Sequence, residues 1–446
     1  MKKRTFHGGV HVYDGKQMTE NAVIQRLYPT GEAIYPLQQH IGRPAVPVVQ
    51  KGDTVLVGQR IADAADGLSA CICSAVSGTV KAIEPRPVIA GDYVPAIVIE
   101  NDGQYTPDPK IGTERNFHDM HNGEIRAIAR NAGIVGLGGA GFPTDTKLTP
   151  KEDNAIEYVI VNGAECEPYL TSDYRLMMEQ ADDLLEGIRI LLQMFPNAQG
   201  VIGIEDNKPE AIRHLHQLTN THPRVRVCPL KTKYPQGGER SLIYAVTGRK
   251  VHSGILPYQA GCIVHNVATV IALYHAVSRH QPLTTRVITL SGDAYSRPGN
   301  YEVPIGTLLS EVVELAGGFL SNPEKLIAGG PMMGTALYSL EVPTQKTTSA
   351  LLAFTDDRDA RREATNCIHC GRCAGVCPAK LVPQMMVKAV KKGDMDAFQK
   401  LGGMECISCG SCAYICPAHI RLTQSFVYSK ATIAAARRKE KEETKK

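Results

Sequence analysis

This sequence predicts a multidomain chain, α/β plus β, closed by a small helical, cysteine-rich domain. Three observations carry that expectation. The chain has 446 residues, which at about 150 residues per domain argues for about three or four domains. Residues 157–248 alternate short apolar runs with helical spacing, the pattern of a parallel sheet covered by helices. Eight of the thirteen cysteines crowd into residues 367–416 as two copies of one spacing.

Composition narrows the function classes. Hydrophobic residues at 43% and charged residues at 21% exclude wholesale disorder. Lys and Arg number 49 against 45 Asp and Glu, a net charge of +4. That is too balanced for a dedicated nucleic-acid binder. No segment approaches about 18 uninterrupted apolar residues, so no membrane-spanning helix is expected. The nearest, residues 262–277, carries His265, Asn266 and His275 and reads as a soluble core helix. The start, MKKRTFHGGVHVYDG, lacks the apolar stretch of a signal peptide. A cytoplasmic chain is expected, where structural disulfides are rare. Its cysteines therefore point to metal or redox chemistry.

Residues 44–100 read as short strands. V-V-Q-K-G-D-T-V-L-V-G-Q-R-I-A is followed, after a gap, by I-C-S-A-V-S-G-T-V-K-A-I. Gly52-Asp53 and Ser77-Gly78 look like hairpin turns. The pattern resembles a biotinyl/lipoyl barrel-sandwich hybrid, and the expected domain is 1–115. Carrier domains hold a modifiable lysine at the tip between the halves. Here the tip reads A-D-G-L-S-A-C, so an unmodified, structural or docking domain is expected.

A glycine-rich stretch follows, Gly136-Leu137-Gly138-Gly139-Ala140-Gly141-Phe142-Pro143. A dinucleotide fingerprint needs a strand before it and a helix opening at once. The preceding residues 123–132 look helical instead, so the ordinary Rossmann reading fails on context. The glycines still allow close backbone approach, and successive N–H groups can cradle phosphate or a flat ring. Lys147 could add charge. Beyond it, 157–161, 200–204 and 225–228 read as strands. Residues 173–194 and 209–218 read as helices, with another from about 239. Ligands in such sheets sit beyond the carboxyl ends of the strands. That brings N-G-A-E-C-E-P (162–168) and Y-P-Q-G-G-E-R (234–240) to one crevice.

Residues 286–355 show short strands at 286–290, 325–328 and 351–354, with a helix near 308–316. The two cysteine runs come next: Cys367-x2-Cys370-x2-Cys373-x3-Cys377-Pro378 and Cys406-x2-Cys409-x2-Cys412-x3-Cys416-Pro417. This is the bacterial ferredoxin spacing for two [4Fe–4S] clusters. Two-residue gaps wrap a loop around one cube, and the fourth cysteine points at the other. One cluster should take Cys367, Cys370, Cys373 and Cys416; the second should take Cys406, Cys409, Cys412 and Cys377. Zinc uses four ligands, often as two CxxC pairs, a poorer match to eight thiols in doubled runs ending in Cys-Pro. His369 reads as a packing or hydrogen-bonding residue. Cys71, Cys73, Cys228 and Cys262 read as buried small residues, while Cys166 sits in the first crevice loop. Between the runs, 383–390 and 397–401 look like a helical pair. The tail, R-R-K-E-K-E-E-T-K-K, is charged and expected to be solvated, with contact to acidic lipid or a membrane subunit as the alternative.

G-L-G-G-A-G-F-P-T-D-T-K, N-G-A-E-C-E-P and Y-P-Q-G-G-E-R together resemble the flavin and NADH site of the complex I flavoprotein subunit. The chain as a whole, from G-G-V-H to the second cysteine run, resembles the RnfC family of Rnf electron-transport complexes and the related Rsx complexes. That resemblance implies a Rossmann-like FMN and NAD(H) domain (116–283), an SLBB β-grasp module (284–355), a two-[4Fe–4S] ferredoxin-type domain (356–430) and a tail (431–446). It implies a peripheral subunit on the cytoplasmic face of the membrane, bound to other Rnf subunits and reaching ferredoxin through a partner, with no nucleic acid involved. The complex would couple ferredoxin–NAD electron transfer to ion movement. By motif, Gly136, Gly138, Gly139, Gly141 and Lys147 would line the FMN phosphate and ribityl chain. Asn162 and Glu165 would contact flavin or ribityl groups, and Asn266 the phosphate. Glu167 would face NAD(H), and Tyr234, Gly237 and Glu239 would close the site. Complex I carries acids where Ala164 and Gly238 stand, and paired asparagines at His265-Asn266. On their own, Glu165 and Glu167 also read as solvated loop acids and Tyr234 as a packing residue.

No side chain is expected to act as an acid–base catalyst, because hydride and electron transfer belong to the cofactors. Two alternatives share parts of this plan: a microcompartment corrinoid reductase, and a non-catalytic wiring or assembly protein.

Overall fold

The computed structural model describes residues 3–252 and 254–443. The first described residues form no part of the barrel. Arg4 bridges Leu230, Val10 bridges Tyr234, and β1 (Ile24–Arg26) joins a sheet far along the chain. The barrel begins at β2 (Ala33–Pro36) and continues through β3 (Val46–Pro47), β4 (Thr54–Val55), β5 (Arg60–Asp63), β6 (Ile72–Cys73), β7 (Gly78–Pro87) and β8 (Tyr93–Asn101). Two sheets, β2-β8-β7-β4 and β3-β5-β6, enclose Tyr35, Val55, Ile61, Ile97 and Ile99. Ser77-Gly78 is not a hairpin turn. Gly78 lies within the sheet opposite Val55 and Asn101, and a Cβ there would meet the Glu100 carbonyl oxygen at 2.0 Å. The turn between the long strands is at Val88–Asp92, where Gly91 has a φ of 90°.

The central domain opens with α1 (Asn122–Asn131) and the short α2 (Thr144–Lys147), the glycine loop between them. Then follow β9 (Tyr158–Gly163), α3 (Ser172–Glu179), α4 (Ala181–Met194), β10 (Gln199–Glu205), α5 (Pro209–Thr219), β11 (Val225–Leu230), α6 (Glu239–Thr247), β12 (Cys262–Asn266) and α7 (Val267–Arg279). All pairings are parallel, in the order β11-β10-β9-β12. Strands so placed are covered on both faces and read as apolar runs. Alternate residues divide between two cores. Val159, Val161 and Ile263 pack with α4 and α7, while Ile160, Cys262 and Val264 pack with α6.

Two sequence expectations change here. The apolar run 262–277 is not one helix. Its first five residues pair with β9, and the helix starts only after Asn266, whose side chain accepts from the Ala268 N–H as an N-cap. Residues 173–194 break into two helices at Gln180, whose φ and ψ of −128° and 37° are not helical.

A six-stranded sheet follows, built from β13 (Thr285–Ser291), β14 (Gly299–Pro304), β15 (Lys325–Ala328), β16 (Thr335–Leu337) and β17 (Ala350–Phe354), in the order β1-β14-β13-β17-β15-β16, with α8 (Leu309–Leu315) against it. The cysteine-rich domain contains α9 (Arg358–Arg361), α10 (Arg372–Val376), α11 (Pro383–Lys391), α12 (Met395–Lys400), α13 (Ser411–Tyr414) and α14 (Leu422–Glu443), packed on Met386, Phe398 and Phe426. Helix α14 runs into the charged tail; residues 444–446 lie outside the described residues.

Candidate functional site

The sheet order puts a topological switch point between β9 and β12, because β10 and β11 build outward on one side of β9 and β12 on the other. Ligand crevices of open α/β sheets lie at such points, beyond the carboxyl ends of the strands. Asn162 ends β9 opposite Asn266, which ends β12. The glycine loop comes to this spot: a Cβ on Gly138 would meet the Asn266 side chain at 2.9 Å, whereas one on Gly139 would meet nothing within 4 Å. Gly141 has a φ of 71° and backs onto Gln39 and His40 of the barrel. Gly136 closes the loop through its N–H to the Phe142 carbonyl at 2.8 Å.

The loop is pinned from behind. The Leu137 N–H donates to Thr269 Oγ1 at 2.9 Å, and the buried Arg286 guanidinium donates to the Leu137 carbonyl at 3.1 Å. Asn266 Nδ2 donates to Asp173 at 2.6 Å, and Asp173 supplies the charge facing Arg286. Desolvation holds the Arg286 guanidinium below its ordinary range, at about 10. The N-terminus of α7 thus opens beside the glycines, an electropositive end suited to phosphate.

The loops after β9 and β11 meet as well. Asn162 Nδ2 donates to the Gly237 carbonyl at 2.9 Å, and a Cβ on Gly237 would touch Asn162, Cys166 and Ala164. Lys147 pairs with Glu239 at 2.7 Å, linking the helix after the glycine loop to the start of α6. Buried polar atoms without a partner gather on these segments: Thr144 Oγ1, Asp145 Oδ1, Gln236 Nε2 and His265 Nε2. Burial, with Lys147 nearby, pushes His265 down to about 3, so its imidazole is neutral. Unmet hydrogen-bonding capacity around open glycines and a helix N-terminus suits a phosphate-bearing polar cofactor.

Three residues expected at the ligand are turned elsewhere. Glu165, in a left-handed conformation with φ of 47°, accepts from the Asp173 N–H at 2.7 Å and so caps α3. Its other oxygen lies 3.9 Å from Lys16, whose ammonium also donates to the Glu167 carbonyl at 3.0 Å and to that of Leu170. Glu167 accepts from the Met332 N–H at 3.1 Å and lies beside the Tyr234 hydroxyl. Burial pushes the Glu167 carboxyl up to about 7. Tyr234 is fully buried. Neither acid is a solvated loop residue, and Tyr234 packs. Sequence reading missed Lys16, Asp173, Lys208, Glu205 and Arg286. The buried Lys208 holds the Ala164 carbonyl at 2.8 Å and lies 3.9 Å from Glu205. Only Arg286 gave a local signal, a cation at an inward position of the strand T-R-V-I-T-L.

The eight cysteines line two separate cavities. Cys377, Cys406, Cys409 and Cys412 line one, and Cys367, Cys370, Cys373 and Cys416 the other. Each cavity takes three thiols from one run and the fourth from the other. Among the described residues no group of three or more His, Cys, Asp or Glu side chains converges on a single ion position. Four thiols around one space, three from one run and one from the other, fit a cuboidal cluster. Burial pushes the Cys412 thiol up to about 12, so only a bound metal would keep it ionised at neutral pH. Cys409 is buried in one apolar cluster with Val10 and Tyr234, edged by Cys166, Met332 and Val376. Cys367 and Cys370 are exposed.

A nucleotide-type crevice, joined through Tyr234 to one of two four-thiol cavities, defines an iron–sulfur flavoprotein of the oxidoreductase class. Comparison with known proteins agrees domain by domain. Residues 4–104 match the RnfC barrel sandwich hybrid domain, 129–275 the Nuo51 FMN-binding domain, 287–336 the SLBB domain and 359–417 the 4Fe-4S dicluster domain. The RnfC-type component of the Na(+)-translocating ferredoxin:NAD(+) oxidoreductase complex of Acetobacterium woodii is 42% identical, over 98% of this chain and 99% of the relative. Its counterpart in the proton-translocating complex of Clostridium ljungdahlii is 43% identical, over 86% and 84%. The corresponding component of the ion-translocating oxidoreductase complex of Rhodobacter capsulatus is 40% identical, over 96% and 83%. A solved NAD+-reducing NiFe-hydrogenase, in its air-oxidised state, shares the fold: TM-score 0.50 and 22% identity, over 70% of this chain and 66% of that one. The chain belongs to the RnfC family of Rnf-type ferredoxin:NAD+ oxidoreductase complexes.

Proposed function

We propose that this chain is the NAD(H)-reacting arm of an ion-translocating ferredoxin:NAD+ oxidoreductase, peripheral at the cytoplasmic face of the membrane. It reaches ferredoxin through a partner. The carrying observation is that Cys409, Val10 and Tyr234 pack in one buried cluster, which joins the loop after β11 to a four-thiol cavity. When bound, FMN exchanges hydride with NAD(H) and single electrons with the clusters. No helix among the described residues is long and apolar enough to cross a membrane. Ion translocation is accordingly proposed for the complex.

In this reading Gly136, Gly138, Gly139 and Gly141 give the cofactor close access to backbone N–H groups. Asn266 and the first turn of α7 hold its phosphate. Lys147, paired with Glu239 here, would hold the phosphate in place of that carboxylate. Asn162 and Gly237 border the ring, and Glu239 stands on the NAD(H) side. Glu165, Glu167 and Tyr234 support the loop from behind. The cluster held by Cys377, Cys406, Cys409 and Cys412 stands next to the flavin domain. Cys367, Cys370, Cys373 and Cys416 would hold the other, and the exposure of Cys367 and Cys370 would leave it open to a partner.

Anaerobic purification, flavin extraction, iron analysis and an NADH assay with an artificial acceptor test the proposal. FMN with about eight irons per chain and NADH-dependent acceptor reduction are expected. Colourless protein containing zinc would refute it.

A further inference from the structure

The motif His7-Gly8-Gly9-Val10-His11 lies outside the barrel, the flavin crevice and the thiol cavities, yet the fold inserts it between two of them. The Gly9 N–H donates to the Val376 carbonyl at 2.8 Å, one residue before the ligand Cys377. The Val10 N–H donates to the Tyr234 carbonyl at 2.8 Å, and the Tyr234 N–H returns to the Val10 carbonyl at 2.9 Å. Lys233 anchors the same turn by donating to the Gly8 carbonyl at 2.8 Å and to that of Phe6. One turn of chain therefore touches the cluster domain with one residue and the flavin domain with the next.

Both glycines are in the left-handed region, with φ of 80° and 81°. A Cβ on Gly8 would lie 2.9 Å from the Val376 carbonyl oxygen and 3.1 Å from that of Cys377. On Gly9 it would lie 2.7 Å from the Tyr234 carbonyl oxygen and 2.8 Å from the Phe6 ring. The collisions are largely with backbone, which no rotamer change relieves. A side chain on either glycine would press the turn against the backbone of the cluster domain or of the flavin domain.

Resting on the function proposed above, we infer that Gly8 and Gly9 are positioning residues for electron transfer. They form a minimal spacer that sets the distance between the flavin and the cluster bound by Cys377, Cys406, Cys409 and Cys412. Tunnelling between redox centres falls exponentially with separation, so a small displacement slows this step while leaving hydride transfer at the crevice untouched.

The test uses the full chain loaded with FMN and both clusters, as wild type, Gly8→Ala and Gly9→Ala. Gly67→Ala serves as control, since Gly67 has a φ of 81° and nothing within 4 Å of its would-be Cβ. Rapid mixing with NADH should show flavin bleaching at the wild-type rate in every variant. Cluster bleaching should slow several-fold in Gly8→Ala and Gly9→Ala, and not in Gly67→Ala. Hydrogen exchange gives a readout independent of turnover: protection should fall at Val10, Tyr234 and residues 371–377 and hold in the central sheet. Unchanged cluster bleaching in a fully loaded glycine variant overturns the inference, as does parallel slowing of flavin and clusters. Loss of cofactors from both glycine variants overturns it too, by making the turn part of the domain fold rather than a spacer. Wild-type protein without flavin, or unreactive to NADH, would instead sink the function on which the inference rests.

Discussion

Lys16→Met tests a buried charge that holds the crevice loop. The Lys16 ammonium donates to the Glu167 carbonyl at 3.0 Å and to the Leu170 carbonyl, and it lies 3.9 Å from Glu165. Its side chain is 5% exposed and that of Glu165 3%. Methionine keeps the apolar stem but leaves two carbonyls unpaired, at about 1–3 kcal/mol each. It also strips Glu165 of the larger of its two counter-charges, Lys208 being the other, and breaking a buried pair in that way costs about 3–5 kcal/mol. Protonation offers Glu165 an escape, since burial already pushes its carboxyl above the ordinary range. A carboxyl whose folded pKa is raised carries no charge penalty below its unfolded value; the penalty grows as pH climbs through the folded one. The expected loss is therefore about 2 kcal/mol near pH 5, from the carbonyls alone. It should reach about 5–7 kcal/mol near pH 8, where the carboxylate penalty adds to that of the carbonyls. Urea unfolding of the apoprotein at both pH values measures it, as the midpoint shift multiplied by the slope. A loss below about 1 kcal/mol near pH 8, or one equal at both pH values, would refute the reasoning.

Four further outcomes follow from the same geometry. Cys416→Ser should remove the cluster of the first cysteine run and Cys377→Ser that of the second; electron paramagnetic resonance of the reduced protein distinguishes this from loss within the mutated run. In Glu167→Gln, the pH dependence of apoprotein stability should flatten. The carboxyl is raised from 4.5 to about 7, so the wild type should lose up to about 3 kcal/mol between those values as pH rises, read by urea titration. Gly138→Ala places a Cβ 2.9 Å from Asn266; weaker retention of FMN on dialysis is expected, with about 1 kcal/mol lost at the α7 cap. Lys147→Ala breaks a pair that is 26% and 41% exposed. Apoprotein stability should change by no more than about 1 kcal/mol, while FMN affinity, followed by fluorescence quenching, should fall.

How much was legible depended on whether the signal was local. The doubled cysteine spacing carried its own geometry, and the two cavities take thiols in the crossed sets the spacing suggests. The strands β9, β10 and β11 were readable because buried parallel strands are short apolar runs. Strand β12 was not, because its run continues without a break into α7 and periodicity cannot divide it. Ser77-Gly78 reads as a turn in isolation and as a sheet position only once Glu100 packs above it. Glu165 and Glu167 sit in the loop the sequence indicated, yet their side chains answer to Lys16 and Met332, at separations of 149 and 165 residues.

The sequence by itself determined the ligand chemistry: eight thiols at cluster spacing, a glycine loop, and the loops that end the strands. These depend on residues a few positions apart, where covalent geometry limits the outcomes. Only the tertiary structure decided that β12 pairs beside β9 and so creates the switch point. It alone revealed that a buried lysine from the first turns of the chain holds the crevice loop, and that the turn at Gly8 and Gly9 bonds both the cluster domain and the flavin domain. Those arrangements follow from burial and backbone pairing between segments hundreds of residues apart, for which a local pattern carries no mark.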